Sequence, residues 1–383
     1  METIKLKRGK ENLLQRRHPW IFSGALAHQD KRLENGAVVK VHDFRDRFLA
    51  IGHYYNSSIA IRILRFDEGK IDLSFFIEKI KNALKLRKAL GLIDNEECLV
   101  YRLVNAEGDG LPGLVIDWYN GVAVISASSA GMKLQENLIV RALKEVLGAS
   151  LKAIYSRHDE KDGKYLFGKT SVPHLVKEYG HSFLVDWESG QKTGFFIDQR
   201  ENRKKAADYA QGRKVLNAFS YSGGFSVYAL DGGAAHVDSV DSSAPAIELA
   251  VKNAELNNLS ENHHGIEADV FDFLTNHKNE YDMIIIDPPA FARSISRRHN
   301  AVTGYKRLNA LAMNSIGSGG ILFTFSCSQV VDNRLFEDTI RAAAIESGRD
   351  IQLLERLSQP ADHPVSIFHP EGNYLKGLIL RVS

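Results

Sequence analysis

Only two cysteines, Cys98 and Cys327, occur in 383 residues, and they lie far apart. A disulfide framework and a zinc site built on cysteine pairs are both excluded by that scarcity, and a reducing compartment is the natural setting. No segment approaches the ~20 consecutive apolar residues that a membrane helix needs. Met1-Glu-Thr-Ile-Lys has no apolar stretch leading to small residues, so no cleaved leader is expected. Charge of one sign is missing too: 49 Lys and Arg against 47 Asp and Glu leave +2. Net charge therefore announces no polyanionic partner, and any affinity for nucleic acid must reside in local patches. Repeats, low-complexity tracts and disordered tails are absent from the sequence. With 44% hydrophobic residues, what remains is a soluble, cytoplasmic chain whose length calls for two or three domains.

Three stretches differ in pattern. Residues 1–72 read as a small β domain, with Ile4 and Leu6 alternating with lysines, apolar runs at Ala37–Val41 and Phe48–Ile51, and Ile59, Ile61 and Ile63 around Arg62. Lys5, Lys7, Arg8, Lys10, Arg16 and Arg17 precede His18-Pro19-Trp20, which forms a basic face next to an aromatic; a strand edge protected by lysines would look the same. Residues 73–184 read as a central α+β domain. Ser74 is placed to cap a helix that Gly91 stops, Asn120-Gly121 signals a hairpin, and Leu134, Leu138, Ile139, Leu143 and Val146 mark one helix face. From 185 to 383 strands and helices alternate, with strands expected at Val215–Phe219, His236–Val240, Gly265–Ala268, Met283–Ile286, Ile321–Phe325, Ile351–Leu354 and Leu378–Val382. That alternation predicts an α/β, doubly wound sheet whose ligands gather at the carboxyl ends of its strands.

Strand ends carry the functional signal. Gly223 and Gly224 occupy the turn after the first strand, where a bare backbone can approach a ligand, but the pattern is not the Gly-x-Gly-x-x-Gly of dinucleotide folds. Asp241 ends the second strand, where a carboxylate can accept from two ribose hydroxyls, and Asp269 ends the third, near an adenine edge. Each alone reads equally well as a turn or a helix cap. Their order, with Asp287 at the fourth strand end, resembles the class I S-adenosylmethionine (SAM)-dependent methyltransferases.

Asp287-Pro288-Pro289-Ala290-Phe291 follows one strand and Ser326-Cys327-Ser328 ends the next. A carboxylate and a thiol at neighbouring strand ends suit methylation of a pyrimidine carbon: carbon 5 of cytosine becomes nucleophilic once a thiolate adds to carbon 6, with a carboxyl group at N3 stabilising the adduct. Amino-group methyltransferases place an aromatic directly after Pro-Pro, where this chain has Ala290; Phe291, one residue on, stands where a flipped base could stack. Free cysteine has a pKa of about 8.5, so a catalytic Cys327 requires a polar or electropositive surrounding. The competing readings are an N- or O-directed methyltransferase with a structural Cys327, and a SAM- and RNA-binding ribosome assembly factor without catalysis.

Wider similarity supports the carbon-directed reading. Arg17-His-Pro-Trp-Ile-Phe-Ser-Gly-Ala resembles the opening of a PUA domain, an RNA-binding β module. Gly190-Gln-Lys-Thr-Gly-Phe-Phe-Ile-Asp-Gln-Arg, Asn217-Ala-Phe-Ser-Tyr-Ser-Gly-Gly-Phe, Phe325-Ser-Cys-Ser, Ala361-Asp-His-Pro and Pro370-Glu-Gly-Asn-Tyr-Leu-Lys-Gly resemble the large-subunit ribosomal RNA cytosine 5-methyltransferases of the I type. That resemblance implies a PUA domain, a central domain and a Rossmann-like seven-stranded catalytic domain. It implies that Phe195, Asp198 and Arg200 help enclose SAM, that Phe219, Ser220 and Gly224 line its methionine side, and that Asp241 and Asp269 take ribose and adenine. Asp287 would meet cytosine N3 and Cys327 would be the nucleophile. Lys5, Lys7, Arg8, Arg16, Arg17 and Trp20, with Arg293, Arg297, Arg298, Lys306 and Arg307 on a lid-like loop, would hold RNA. The expected substrate is large-subunit rRNA before full ribosome assembly, with no membrane partner, and the sheet edges would accommodate a homodimer. Familiar members have Lys where Ala290 stands.

Overall fold

The computed structural model describes residues 1–28, 33–159, 162–292 and 294–383. The chain forms two compact units, one of Met1–Val176, Val185–Ile197 and Ala361–Gly372, the other of Lys177–Leu184, Asp198–Pro360 and Asn373–Ser383. The stretches expected as separate domains at 1–72 and 73–184 thus share a unit up to Val176, while Lys177–Leu184 groups with the other. Residues 185–197 and 361–372 also group with the first unit, since chain returns from distant sequence complete its packing.

In the first unit, alternating apolar residues build a five-stranded sheet in the order Glu2–Lys5, Val38–His42, Phe48–Tyr54, Ile59–Arg65, Trp20–Phe22. Ile4, Ile21, Val39, Val41, Ala50 and Ile61 form its core. A second five-stranded sheet contains Leu114–Tyr119 and Val122–Ala127, joined at Asn120 and Gly121 with φ of +44° and +97°. Both values are left-handed, as a tight hairpin of this hand requires. The helix Leu73–Ala89 is capped by Asp72, whose side chain accepts from Phe75 N at 3.2 Å. Ser74, expected to cap it, lies inside the first turn and donates to the Asp72 carboxylate at 2.7 Å. A carboxylate one residue outside the helix reaches the free amides of the first turn, which a hydroxyl already within it does not.

The second unit is a seven-stranded sheet in the order His263–Glu267, His236–Asp241, Lys214–Ala218, Tyr281–Ile286, Ile316–Ser326, Lys376–Val382, Ile351–Leu357. The first five strands run parallel; Lys376–Val382 pairs antiparallel with both of its neighbours. Within Tyr281–Ile286, Met283 to Ile286 read as a continuous apolar run because both sheet faces are covered: Ile284 and Ile286 enter one core, Met283 and Ile285 the other. Lys214–Ala218 lies between His236–Asp241 and Tyr281–Ile286, so the chain reverses its winding beside that strand. At such a switch point the strand-end loops diverge and leave a crevice.

Candidate active site

Three left-handed residues follow the Lys214–Ala218 strand: Phe219 (φ +60°), Tyr221 (+44°) and Gly223 (+71°). Two of them carry side chains in a conformation that costs about 1–2 kcal/mol each. The turn is held by Ser220 N donating to Val240 O (3.1 Å), Gly223 N to Ser220 O (2.8 Å) and Tyr221 N to the Asp241 carboxylate (3.0 Å). Glycine is enforced here by space as well as by φ. A Cβ on Gly223 would stand 2.8 Å from Ala250 Cβ, and one on Gly224 would meet Arg203 Cδ at 2.9 Å. Ser220 is 6% exposed, and its Oγ is buried without a hydrogen-bond partner among the described residues. A buried hydroxyl of this kind fits a polar ligand group.

Asp241 accepts from Tyr221 N on one oxygen and Ser243 N on the other, both at 3.0 Å. Its lone pairs are only partly used, so it can still accept from a sugar diol. Asp269 is exposed and caps the helix Val270–Asn276, taking Phe271 N and Asp272 N on Oδ1 at 2.9 and 3.1 Å. Asp198 is buried and accepts from Tyr374 OH at 2.8 Å. Arg200 is buried, with Nε 3.3 Å from Glu201 and its guanidinium over the Tyr179 ring at 5.8 Å. Phe195 belongs to the first unit, where it is buried.

Asp287 and Cys327 leave adjacent parallel strands, whose last paired residues are Ile286 and Thr324. Gln199 Nε2 donates to Asp287 Oδ2 at 3.0 Å, and Asn202 Nδ2 holds Gln199 Oε1 at 2.6 Å. Gln199 is therefore fixed amide-end toward the carboxylate. Cys327 is partly exposed; its body packs against the core that contains Phe323 and Phe325. Lys376, only 4% exposed, places Nζ 2.7 Å from both Ser328 O and Tyr374 O. It reaches this turn because the antiparallel register pairs Lys376 with Ser326. Burial pulls its ammonium down to about 8, and the charge interaction with Cys327 opposes that pull. Ser328 Oγ is tied to Ala292 O at 2.8 Å, which pins the cysteine loop to the segment after Pro-Pro.

Gln199, Asn202 and Lys376 were not singled out from sequence. Lys376 lies within the Tyr374-Leu-Lys-Gly motif, but a lysine on an apolar strand gives no sign of where its head is directed.

Other expected contacts differ in setting. Phe291 is half-buried between Tyr305 (ring centroids 4.7 Å) and Phe271 (6.3 Å), so its ring is packed rather than displayed. Arg297 and Arg298 are exposed, but Arg298 opens the helix Arg298–Ser315, so the expected loop is helical from there. Arg293 lies outside the described residues. Lys306 pairs with Glu346 at 2.7 Å, and Arg307 lies over Phe271 at 5.2 Å. In the first unit, Lys5 pairs with Asp46 at 3.0 Å, Lys7 donates to Gly24 O at 3.1 Å, and Arg8 lies over Phe44 at 5.7 Å. Arg16 and Arg17 are exposed, the latter over Phe66 at 5.3 Å and Phe368 at 5.9 Å. Trp20 is engaged within the unit. Its Nε1 donates to Glu107 at 2.9 Å, and its ring packs on His369 at 4.3 Å and under Arg62 at 5.1 Å.

Residues 110–381 match the family model described as S-adenosylmethionine-dependent methyltransferase, and residues 4–66 match a PUA-like domain. The chain is 42% identical to ribosomal RNA large subunit methyltransferase I of Aeromonas hydrophila over 396 residues, covering 99% of each protein. With the same-named protein of Escherichia coli it shares 39% over 395 residues, again covering 99% of each. Among solved structures, a putative methyltransferase complexed with SAH superposes with a TM-score of 0.89 at 25% identity, and a putative SAM-dependent methyltransferase from Streptococcus mutans with 0.88 at 24%; each pair is covered completely. The chain therefore belongs to the S-adenosylmethionine-dependent methyltransferases, in the family of the ribosomal RNA large subunit methyltransferases I.

Proposed function

We propose that this enzyme methylates carbon 5 of a cytosine in large-subunit ribosomal RNA, using SAM as donor and Cys327 as nucleophile. The substrate class comes from the full-length relatives named for it. The observation that carries the chemistry is a partly exposed thiol at a strand end, next to the strand end of Asp287, with a buried lysine ammonium bound to the following carbonyl.

SAM supplies an electrophilic methyl group. The Phe219–Gly224 turn approaches its methionine side, with the open Ser220 hydroxyl as a polar contact and Asp241 accepting from the ribose. Asp198 and Arg200 complete the enclosure. Asp269 meets the adenine with the oxygen not used in capping.

The cytosine leaves its stack at a cost of a few kcal/mol, least in a loop or in protein-free RNA, so the substrate is rRNA before assembly, in the cytoplasm. The Cys327 thiolate adds to carbon 6 and the electron pair of the 5,6 double bond becomes available at carbon 5. Asp287, oriented by Gln199, meets N3. Carbon 5 displaces the methyl group from the donor's sulfur, a base takes the carbon 5 proton, and the returning electron pair expels the thiolate. Lys376 favours the thiolate through its positive charge. Arg16, Arg17, Arg297 and Arg298 contact phosphates. A cation at a helix start, as at Arg298, opposes the helix dipole and adds nothing to helix stability, which favours a role toward an anionic partner.

The test is transfer of a labelled methyl group to protein-free large-subunit rRNA, followed by bisulfite mapping. One cytosine should become protected by the wild-type enzyme, and Cys327→Ala should abolish the transfer. Undiminished turnover by Cys327→Ala would move the reaction to a nitrogen or oxygen. Binding of RNA and SAM with no transfer by the wild type would leave an assembly factor.

A further inference from the structure

On the same sheet, away from the strand ends that carry the reaction, His236 and Asp238 lie two residues apart on one strand and so project from the same face. In the neighbouring parallel strand His264 is the register partner of Asp238, which brings a third ligating side chain to that face. His236 Nε2 is 2.9 Å from Asp238 Oδ1, His264 Nδ1 is 3.9 Å from the same oxygen, and all three ligand atoms lie within 4.8 Å of one another. The two imidazoles meet edge to face, with centroids 5.2 Å apart at 89°.

We propose that His236, Asp238 and His264 form a binding site for a borderline divalent transition metal of the zinc type, with water in the fourth position. Two imidazoles and one carboxylate are a donor set that zinc accepts, with metal–ligand distances near 2.0–2.2 Å, and that magnesium or calcium, which require mostly oxygen, do not. Ligand atoms at that distance from a tetrahedral ion stand about 3.4 Å apart, so the widest separation here, at most 4.8 Å, must close by up to about 1.4 Å while the 2.9 Å His236–Asp238 contact opens slightly. His264, whose side chain is 75% exposed, is free to supply that movement by rotation. Asp238 is already oriented as a ligating carboxylate should be, because its second oxygen accepts from the buried Tyr281 hydroxyl at 2.8 Å. Lys214, the cation next to His236 in register, directs its ammonium to the Tyr281 ring (4.7 Å) and Glu280 (4.0 Å). The adjacent His263 turns to the opposite face, where Nε2 meets Ser239 Oγ at 2.7 Å, so it does not compete.

The consequence is mechanical. His263–Glu267 is an edge strand of the sheet, held by one neighbour. A metal bridging His264 to His236 and Asp238 clamps that edge to the sheet near the amino ends of both strands. The donor turn packs at the opposite ends, so loading the site leaves methyl transfer unchanged.

The test is calorimetric titration of the full chain, without a histidine tag, with zinc sulfate. The wild type should bind one more zinc ion than His264→Ala and His236→Ala, or bind its tightest ion about a hundredfold more tightly than either variant. Zinc should raise the melting temperature of the wild type and not of the variants. Cobalt(II) should show the visible absorption of a tetrahedral site only in the wild type. Because His264 is exposed, its replacement leaves folding intact, and unchanged methyl transfer by that variant confirms this. Identical isotherms and cobalt spectra for the wild type and both variants would overturn the proposal, as would equal binding of magnesium.

Discussion

At Cys327 the chemistry turns on how a thiol acquires negative charge, and the group available for that purpose is Lys376. Its ammonium is buried, donates to two carbonyls and interacts with Cys327. With Cys98 replaced by Ser so that one thiol remains, alkylation of Cys327 by iodoacetamide across pH should give a midpoint that rises by about one unit in Lys376→Met, corresponding to ~1.4 kcal/mol. Lys376→Arg should restore part of the shift. A lysine that served only in packing would alter the rate equally at every pH and leave the midpoint in place. A second residue-scale effect concerns His53, fully buried, with both ring nitrogens lacking a hydrogen-bond partner among the described residues. Burial lowers its pKa from 6.5 to about 4. The native state thus refuses a proton that the unfolded chain accepts. The stabilising effect of the neutral ring is full above about pH 6.5 and is lost as pH falls toward 4. Urea unfolding of the first unit should show its midpoint dropping between pH 7 and 5, and His53→Phe should flatten that slope if its ring is accommodated.

Elements form where local chemistry and tertiary packing agree, and the Leu73–Ala89 helix shows how narrowly the two can differ. Both Asp72 and Ser74 are good capping residues; the phase of Phe75, Phe76 and Ile80 against their core decides that the helix begins after Asp72. Asp72→Ala should cost about 1 kcal/mol in urea unfolding, whereas Ser74→Ala should cost a few tenths. Met283–Ile286 and Ile321–Phe325 were legible as apolar runs, the more polar His236–Asp241 and His263–Glu267 from their place in the strand–helix alternation, and Asn120-Gly121 because a left-handed pair has few solutions. The lid-like loop was not legible as helix: Ile295 to Arg298 carry charge and no apolar period. The helical spacing begins only with Ala301, Tyr305, Leu308 and Ala312, which bury.

For the whole molecule the governing variable is salt: phosphate contacts dominate the affinity of proteins for RNA and release counterions. Methyl transfer to protein-free large-subunit rRNA should fall steeply between 50 and 200 mM salt, roughly as a power of salt concentration set by the number of phosphates held. Assembled subunits should be poor acceptors at every salt concentration; equal rates on both, read from incorporated label, would place the modification after assembly.

The order of strand-end residues Gly223, Asp241, Asp269, Asp287 and Cys327 was determined by the sequence alone, because a parallel sheet delivers the carboxyl ends of its strands to one edge whatever the details of packing. Tertiary structure alone decided which side chains surround them. Lys376 meets the cysteine loop through an antiparallel register, Gln199 orients Asp287 from a helix entrance, Trp20 and Phe291 are drawn into packing, and His264 comes beside Asp238. Pairing between strands is a long-range choice made by burial of whole faces, and no local pattern of residues encodes the neighbour it will receive.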